Sequence, residues 1–211
     1  MVLPDPLPLF PLSLVLFPGA QLPLRIFEPR YLEMIGNSVP GESVFGVVSL
    51  LTGSEVRSPQ SRETFCAVGT LAQVRSVEHP HPGLMMIESV GTQRFRILES
   101  RQQRNGLWTA QAELIEPDRA LTVPEDLQGA AAALERLLAQ MKERIRPGQP
   151  LPVAEPFELT DCAWVSNRWC ELLALPTAQK QNLMALENPL LRLELVNDLL
   201  EKYGLLKEPE A

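Results

Sequence analysis

Histidine is nearly absent from this chain: two in 211 residues, both in the turn His79-Pro80-His81-Pro82. No Ser-His-Asp, Cys-His or paired-carboxylate arrangement can be assembled around one proline-bound segment, so histidine-based acid–base catalysis has little to work with. As metal ligands the two would need help, and Glu78 is the one near candidate; the prolines read instead as a surface turn. Cysteine is scarce as well. Cys66, Cys162 and Cys170 form no close-spaced metal pattern and cannot all pair, so inert thiols in a reducing compartment are expected. Cys162 and Cys170 share one side of a predicted helix, with no histidine in that half to activate them. Twelve glycines occur, none in a phosphate-binding cluster, and no G-x-x-x-x-G-K-[ST] loop is present.

Positive charge is also short. Residues 1–100 carry 7 Arg and 9 acids, residues 101–211 carry 12 basic and 17 acidic residues, and the net charge is −7 with a pI near 5.0. Neither half is basic, which argues against broad electrostatic binding to nucleic acid or anionic lipid. No apolar run approaches a membrane span, and the N-terminus lacks the basic flank of a secretory signal. These absences together predict a cytoplasmic, non-enzymatic protein that needs no cofactor and no metal.

Proline is what the chain has in abundance. Within residues 7–31, Pro8, Pro11, Pro18, Pro23 and Pro29 cut short apolar runs. Proline cannot donate to a ladder, which predicts short edge strands and fixed turns here. Phe17-Pro18-Gly19 reads as a turn, residues 22–27 as an extended run, and Pro29 as the first-turn residue of a short helix. The β pattern continues to Pro117. Residues 43–51 form a strand with Gly46 at a bulge or close approach, and 65–77 alternate in part. Residues 84–90 and 92–98 read as two strands turned at Gly91, and 107–115 alternate again. The aperiodic polar segment 52–63 reads as a mobile loop. A small barrel or folded sheet is the expected outcome.

After Pro117 the period becomes helical. Thr122 and Glu125 are arranged as a capping box, ahead of Leu127, Leu134, Leu138, Met141 and Ile145 on one face. Prolines at 147, 150 and 152 end that helix. A second helix is predicted over about 158–173 with Leu159, Val165, Trp169 and Leu172 inward, and a third over about 180–186. A last helix opens at Asn188-Pro189, runs to about residue 203 and closes on Gly204. Domain boundaries of 1–118 and 119–211 follow.

Three sub-motifs of the opening run, Leu9-Phe10-Pro11-Leu12, Leu16-Phe17-Pro18-Gly19 and the segment from Leu24 through Arg25, Phe27 and Glu28 to Tyr31, carry a resemblance. So do Val90-Gly91 with Phe95-Arg96-Ile97, Leu172-Leu173-Ala174-Leu175-Pro176, Lys180-Gln181 and Arg192-Leu193. In this order they resemble the Lon protease N-terminal domain, the LON substrate-binding module, over nearly the whole chain. The resemblance implies an α+β fold: a PUA-like pseudo-barrel of short strands followed by a C-terminal four-helix bundle. It also implies a stand-alone version without the family's ATPase and protease modules. The expected partners are unfolded protein or peptide segments and a protease or chaperone system. Strand addition at a barrel edge, or a cleft between barrel and bundle flanked by Val123 and residues 147–152, would hold them.

Arg25, Glu28, Arg30 and Tyr31 are the candidate binding residues, as a polar cluster on a recognition surface. The same residues read more simply as an ion pair and cap that fix the first helix. The alternative function is RNA binding, with Arg75, Arg94, Arg96, Arg101 and Arg104 supplying part of a basic face on the barrel; the overall acidity opposes it.

Overall fold

A computed structural model describes residues 3–36, 38–56, 63–146 and 151–206. The fold is mixed α and β, and the chain divides into two compact units, Met1–Pro117 and Asp118–Ala211.

The first unit is a largely antiparallel sheet of β1 (Leu7–Leu12), β2 (Gln21–Ile26), β3 (Val44–Thr52), β4 (Thr64–Phe65), β5 (Val68–His81), β6 (Leu84–Gln102) and β7 (Trp108–Leu114), with one helix, α1 (Pro29–Gly36). The strand order is β1-β7-β6-β5-β3-β4, β2 pairs with β6, and a parallel β1–β3 pairing closes the first five into a ring. Its core is Leu7, Leu9, Val48, Leu71, Phe95 and Ala110. Gly46 is there for close approach: a Cβ would lie 2.6 Å from Phe95 Cζ and 2.8 Å from Leu9 Cδ2.

One proline expectation and one glycine expectation need correction. β1 is no edge strand, since it pairs with β7 over residues 7–9 and with β3 over residues 9–12. The two ladders are staggered and share only Leu9. Pro8 precedes the β3 ladder and Pro11 follows the β7 ladder, so each proline has one side with no partner for an N–H to serve. β2 does behave as an edge. Gly91 N–H donates to Ala20 O at 2.8 Å, which sets the alternation of the β2–β6 ladder. Residues 22, 24 and 26 then face β6, and Pro23 turns its imino nitrogen to the outer side. Gly91 itself is not a turn. It lies inside the continuous strand β6, where a Cβ would strike the Phe17 carbonyl oxygen.

The second unit holds a 3-10 turn at Glu125–Leu127 and then α2 (Gln128–Arg144), α3 (Cys162–Leu172), α4 (Thr177–Ala185) and α5 (Pro189–Lys202). The chain thus has five α-helices among the described residues, one of them in the sheet unit, and a four-helix bundle is an incomplete description. α3 packs against α2, α4 and α5. Asn188 caps α5, its side chain accepting from the N–H groups of Leu190 and Leu191 at 3.0 and 3.2 Å. Thr122 is not a cap: it forms a β-bridge with Asp161, and Asp161 instead caps α3 by accepting from Trp164 N–H at 2.8 Å. Residues 147–150 and 57–62, where a connector and a mobile loop were expected, lie outside the described residues.

Candidate polypeptide-binding surface

The four sequence-selected residues separate into two environments. Arg25 is exposed on β2, opposite Met86 on β6, which in turn faces Glu78 on β5. Arg30 and Tyr31 are buried in α1, and Glu28 is half-buried at its start. Arg30 lies at the centre of a network. Its Nη1 donates to Glu63 Oε1 at 3.3 Å and to Gly106 O at 3.0 Å, its Nη2 to Glu55 O at 3.2 Å, and its Nε lies 3.2 Å from Glu28 Oε2. The Trp108 indole N–H donates to the other Glu63 oxygen at 2.5 Å. Such a charge is tolerable inside a protein because both Nη groups are hydrogen-bonded and the Glu28 and Glu63 carboxylates pair with the guanidinium, although Nε itself makes no hydrogen bond. Tyr31 stacks on Phe10, rings 3.8 Å apart and 8° from parallel, and burial raises its phenol well above the usual range, against the opposing pull of Arg30. Sequence reasoning missed Glu63 and Trp108. They sit 33 and 78 positions from Arg30, Glu63 at the end of an aperiodic segment, and no local period marks them.

The network fixes α1, and α1 forms one wall of an open groove of about 440 Å³. Leu32 lines that side. The other is the tip of the β5–β6 hairpin, His79, Pro80, His81, Pro82, Gly83, Leu84 and Met85. His81 pairs with Leu84, so Pro82-Gly83 is a two-residue turn, and Gly83 takes φ 77°, where a side chain would be strained. The walls are mainly aliphatic, and the two histidines are the only titratable groups lining the groove among the described residues. No group of three or more His, Cys, Asp or Glu among those residues is placed to hold a metal. Nearby on the surface, Phe27 is 53% and Met86 39% exposed.

Elsewhere the polar interior is structural. Arg192 is 1% exposed; it bonds Asp118 Oδ2 at 2.7 Å, Asn167 Oδ1 at 3.1 Å and the carbonyls of Leu183 and Leu186. Burial pushes the Cys170 thiol up to about 12 and also raises Cys162 and Cys66, the opposite of an activated nucleophile. Arg94, considered above for a basic face, is 3% exposed, and Arg96 lies 3.7 Å from Glu113. No helix among the described residues is long and apolar enough to cross a membrane.

Residues 6–202 match the model of the ATP-dependent protease La (LON) substrate-binding domain, and the chain belongs to that family. Among solved structures it is similar to a Lon N-terminal domain protein from Xanthomonas campestris, with a TM-score of 0.72 at 32% identity, covering 91% of this chain and 96% of that one. Among curated proteins it is 33% identical to protein cereblon of Danio rerio over 122 residues, 56% of this chain and 27% of that protein. It is 27% identical to the Lon protease of Anaeromyxobacter dehalogenans (strain 2CP-C) over 202 residues, 95% of this chain and 23% of the protease. The chain spans about a quarter of the length of these curated relatives.

Proposed function

We propose that this chain is a non-catalytic polypeptide-binding module of the cytoplasm that takes apolar, extended segments of unfolded protein into the groove under the β5–β6 hairpin. The observation that carries the reading is the groove itself, an open aliphatic recess in a family defined by substrate binding. No cofactor takes part, and the segments come from clients of a protease or chaperone system. Arg25 contacts the client from β2. Glu28, Arg30 and Tyr31 act one step back, holding α1 so that Leu32 stays in the wall. Strand addition is the weaker mode, because Pro23 blunts the free side of β2 and β4 is two residues long.

The subdomain reading, 1–118 as a PUA-like pseudo-barrel and 119–211 as a helical bundle, is supported by the closed five-strand ring and by the packing of α2, α4 and α5 on α3. The test is a fluorescence-anisotropy titration with apolar peptides and with unfolded casein. Saturable binding that falls about tenfold in Leu84→Asp is expected, a loss of the size that removing one buried apolar anchor produces. Undiminished binding by a folded Leu84→Asp protein would sink the groove assignment.

A further inference from the structure

Helix α5 is apolar on two faces. Leu193, Val196 and Leu200 are buried inside the helical unit. Leu191 and Leu195, four residues apart on the other side, are 41% and 40% exposed, and Leu199 continues their line half-buried. A helix in water keeps one apolar stripe, so a second stripe is a surface built to be covered. Leu195 and Leu199 form one wall of a groove of about 400 Å³, opposed by Leu183 of α4 and by Leu186 just past its end. The two rims differ in charge. Along α5, Glu194, Asp198 and Glu201 follow one another at spacings of four and three, all exposed. Along α4, Gln179 and Asn182 carry none, and Lys202 lies at the end of the groove.

We propose that this groove docks an amphipathic helix of a partner protein, apolar on one face and bearing Lys or Arg along the flank that meets Glu194, Asp198 and Glu201. The secondary structure of the occupant follows from the walls. Both are helices whose backbone groups are bonded internally, so an extended strand finds no ladder to join, whereas leucines at i and i+4 interdigitate with a third helix. The charge of the occupant follows from the rim, and its placement from asymmetry: Asp198 lines the groove from α5, Glu194 and Glu201 are exposed on the same helix, and Lys202 repels a basic flank at the far end. The site is separate from the hairpin groove, differs from it in the conformation it selects, and does not depend on it.

The probe is a fluorescein-labelled peptide of 14 residues, the length of α5, with leucines at helical spacing and lysines along one flank; a twin carries glutamates there. Anisotropy titration of the full chain is expected to show saturable binding of the lysine peptide, about tenfold tighter than the twin at low salt. Leu195→Asp is expected to weaken it about tenfold with an unchanged circular dichroism spectrum, and Glu194→Lys with Asp198→Lys to invert the preference between the twins. The surface change Asp198→Lys alone keeps the charge test alive if Leu195→Asp unfolds. Leu84→Asp, in the hairpin groove, is expected to leave helix binding unaltered, so the two sites fail separately. No saturable binding, equal binding of the twins, or full binding by a folded Leu195→Asp protein would overturn the proposal. Self-association abolished by Leu195→Asp would do so too, by placing a second copy in the groove.

Discussion

A buried guanidinium is stabilising only while its partners stay, and Arg30 has three acceptors, Glu63 and the carbonyls of Glu55 and Gly106, with Glu28 beside it as an ion pair. Arg30→Met leaves the Glu63 carboxylate buried with only Trp108 to answer it, and unfolding free energy is expected to fall by about 3–5 kcal/mol in a urea titration. Glu171 is a residue whose titration has consequences for stability. Burial pushes its carboxyl up to about 8, against the opposing charges of Arg168 at 2.5 Å and Lys180. Burial also lowers Arg168. The folded state therefore keeps a proton that the unfolded chain releases near 4.5. Stability from this group is fully present below about 4.5 and is lost as pH rises toward about 8. Thermal unfolding midpoints measured across that window should decline in the native protein and decline less in Glu171→Gln; parallel curves would refute the assignment. Residues of this kind were half legible. Arg30 stands in a recognisable motif, but its partner Glu63 and the depth of Arg94 depend on chain segments that meet only after folding.

At the scale of elements, local chemistry that closes within a few residues was readable from the sequence. Asn188-Pro189 caps α5 and Pro18-Gly19 turns the chain into β2, because each acceptor lies beside its donor. Asn188→Ala is expected to lower stability by about 1 kcal/mol by calorimetry. What required the fold was misread. The Thr122 capping box gave way to a bridge with Asp161, 39 residues on, and the prolines of β1 turned out to fit a strand paired on both sides. Pro23 is the proline with a remaining edge to guard. Pro23→Thr restores an outward N–H on β2, and sedimentation velocity is expected to show more self-association than the native protein does; an unchanged distribution would mean that the edge is covered otherwise.

For the molecule as a whole, charge decides between the two classes of partner that the sequence left open. An RNA-binding barrel needs basic side chains gathered on one face. Of the five arginines considered, Arg94 is buried and Arg96 lies beside Glu113, leaving Arg75, Arg101 and Arg104 exposed on a chain of net charge −7. An aliphatic groove, by contrast, draws its affinity from burying side chains, and salt at ordinary concentrations leaves that nearly untouched. Client binding at the hairpin groove is thus expected to change by less than about twofold between 50 and 300 mM salt, where a protein neutralising several phosphates would lose orders of magnitude. Running the casein titration and a single-stranded RNA titration side by side at both salts separates the classes. Salt-insensitive casein binding with no RNA binding supports the polypeptide module. RNA binding that is tight at low salt and collapses at high salt would reverse it, and would locate the arginines of β5, β6 and the β6–β7 turn as the contact face.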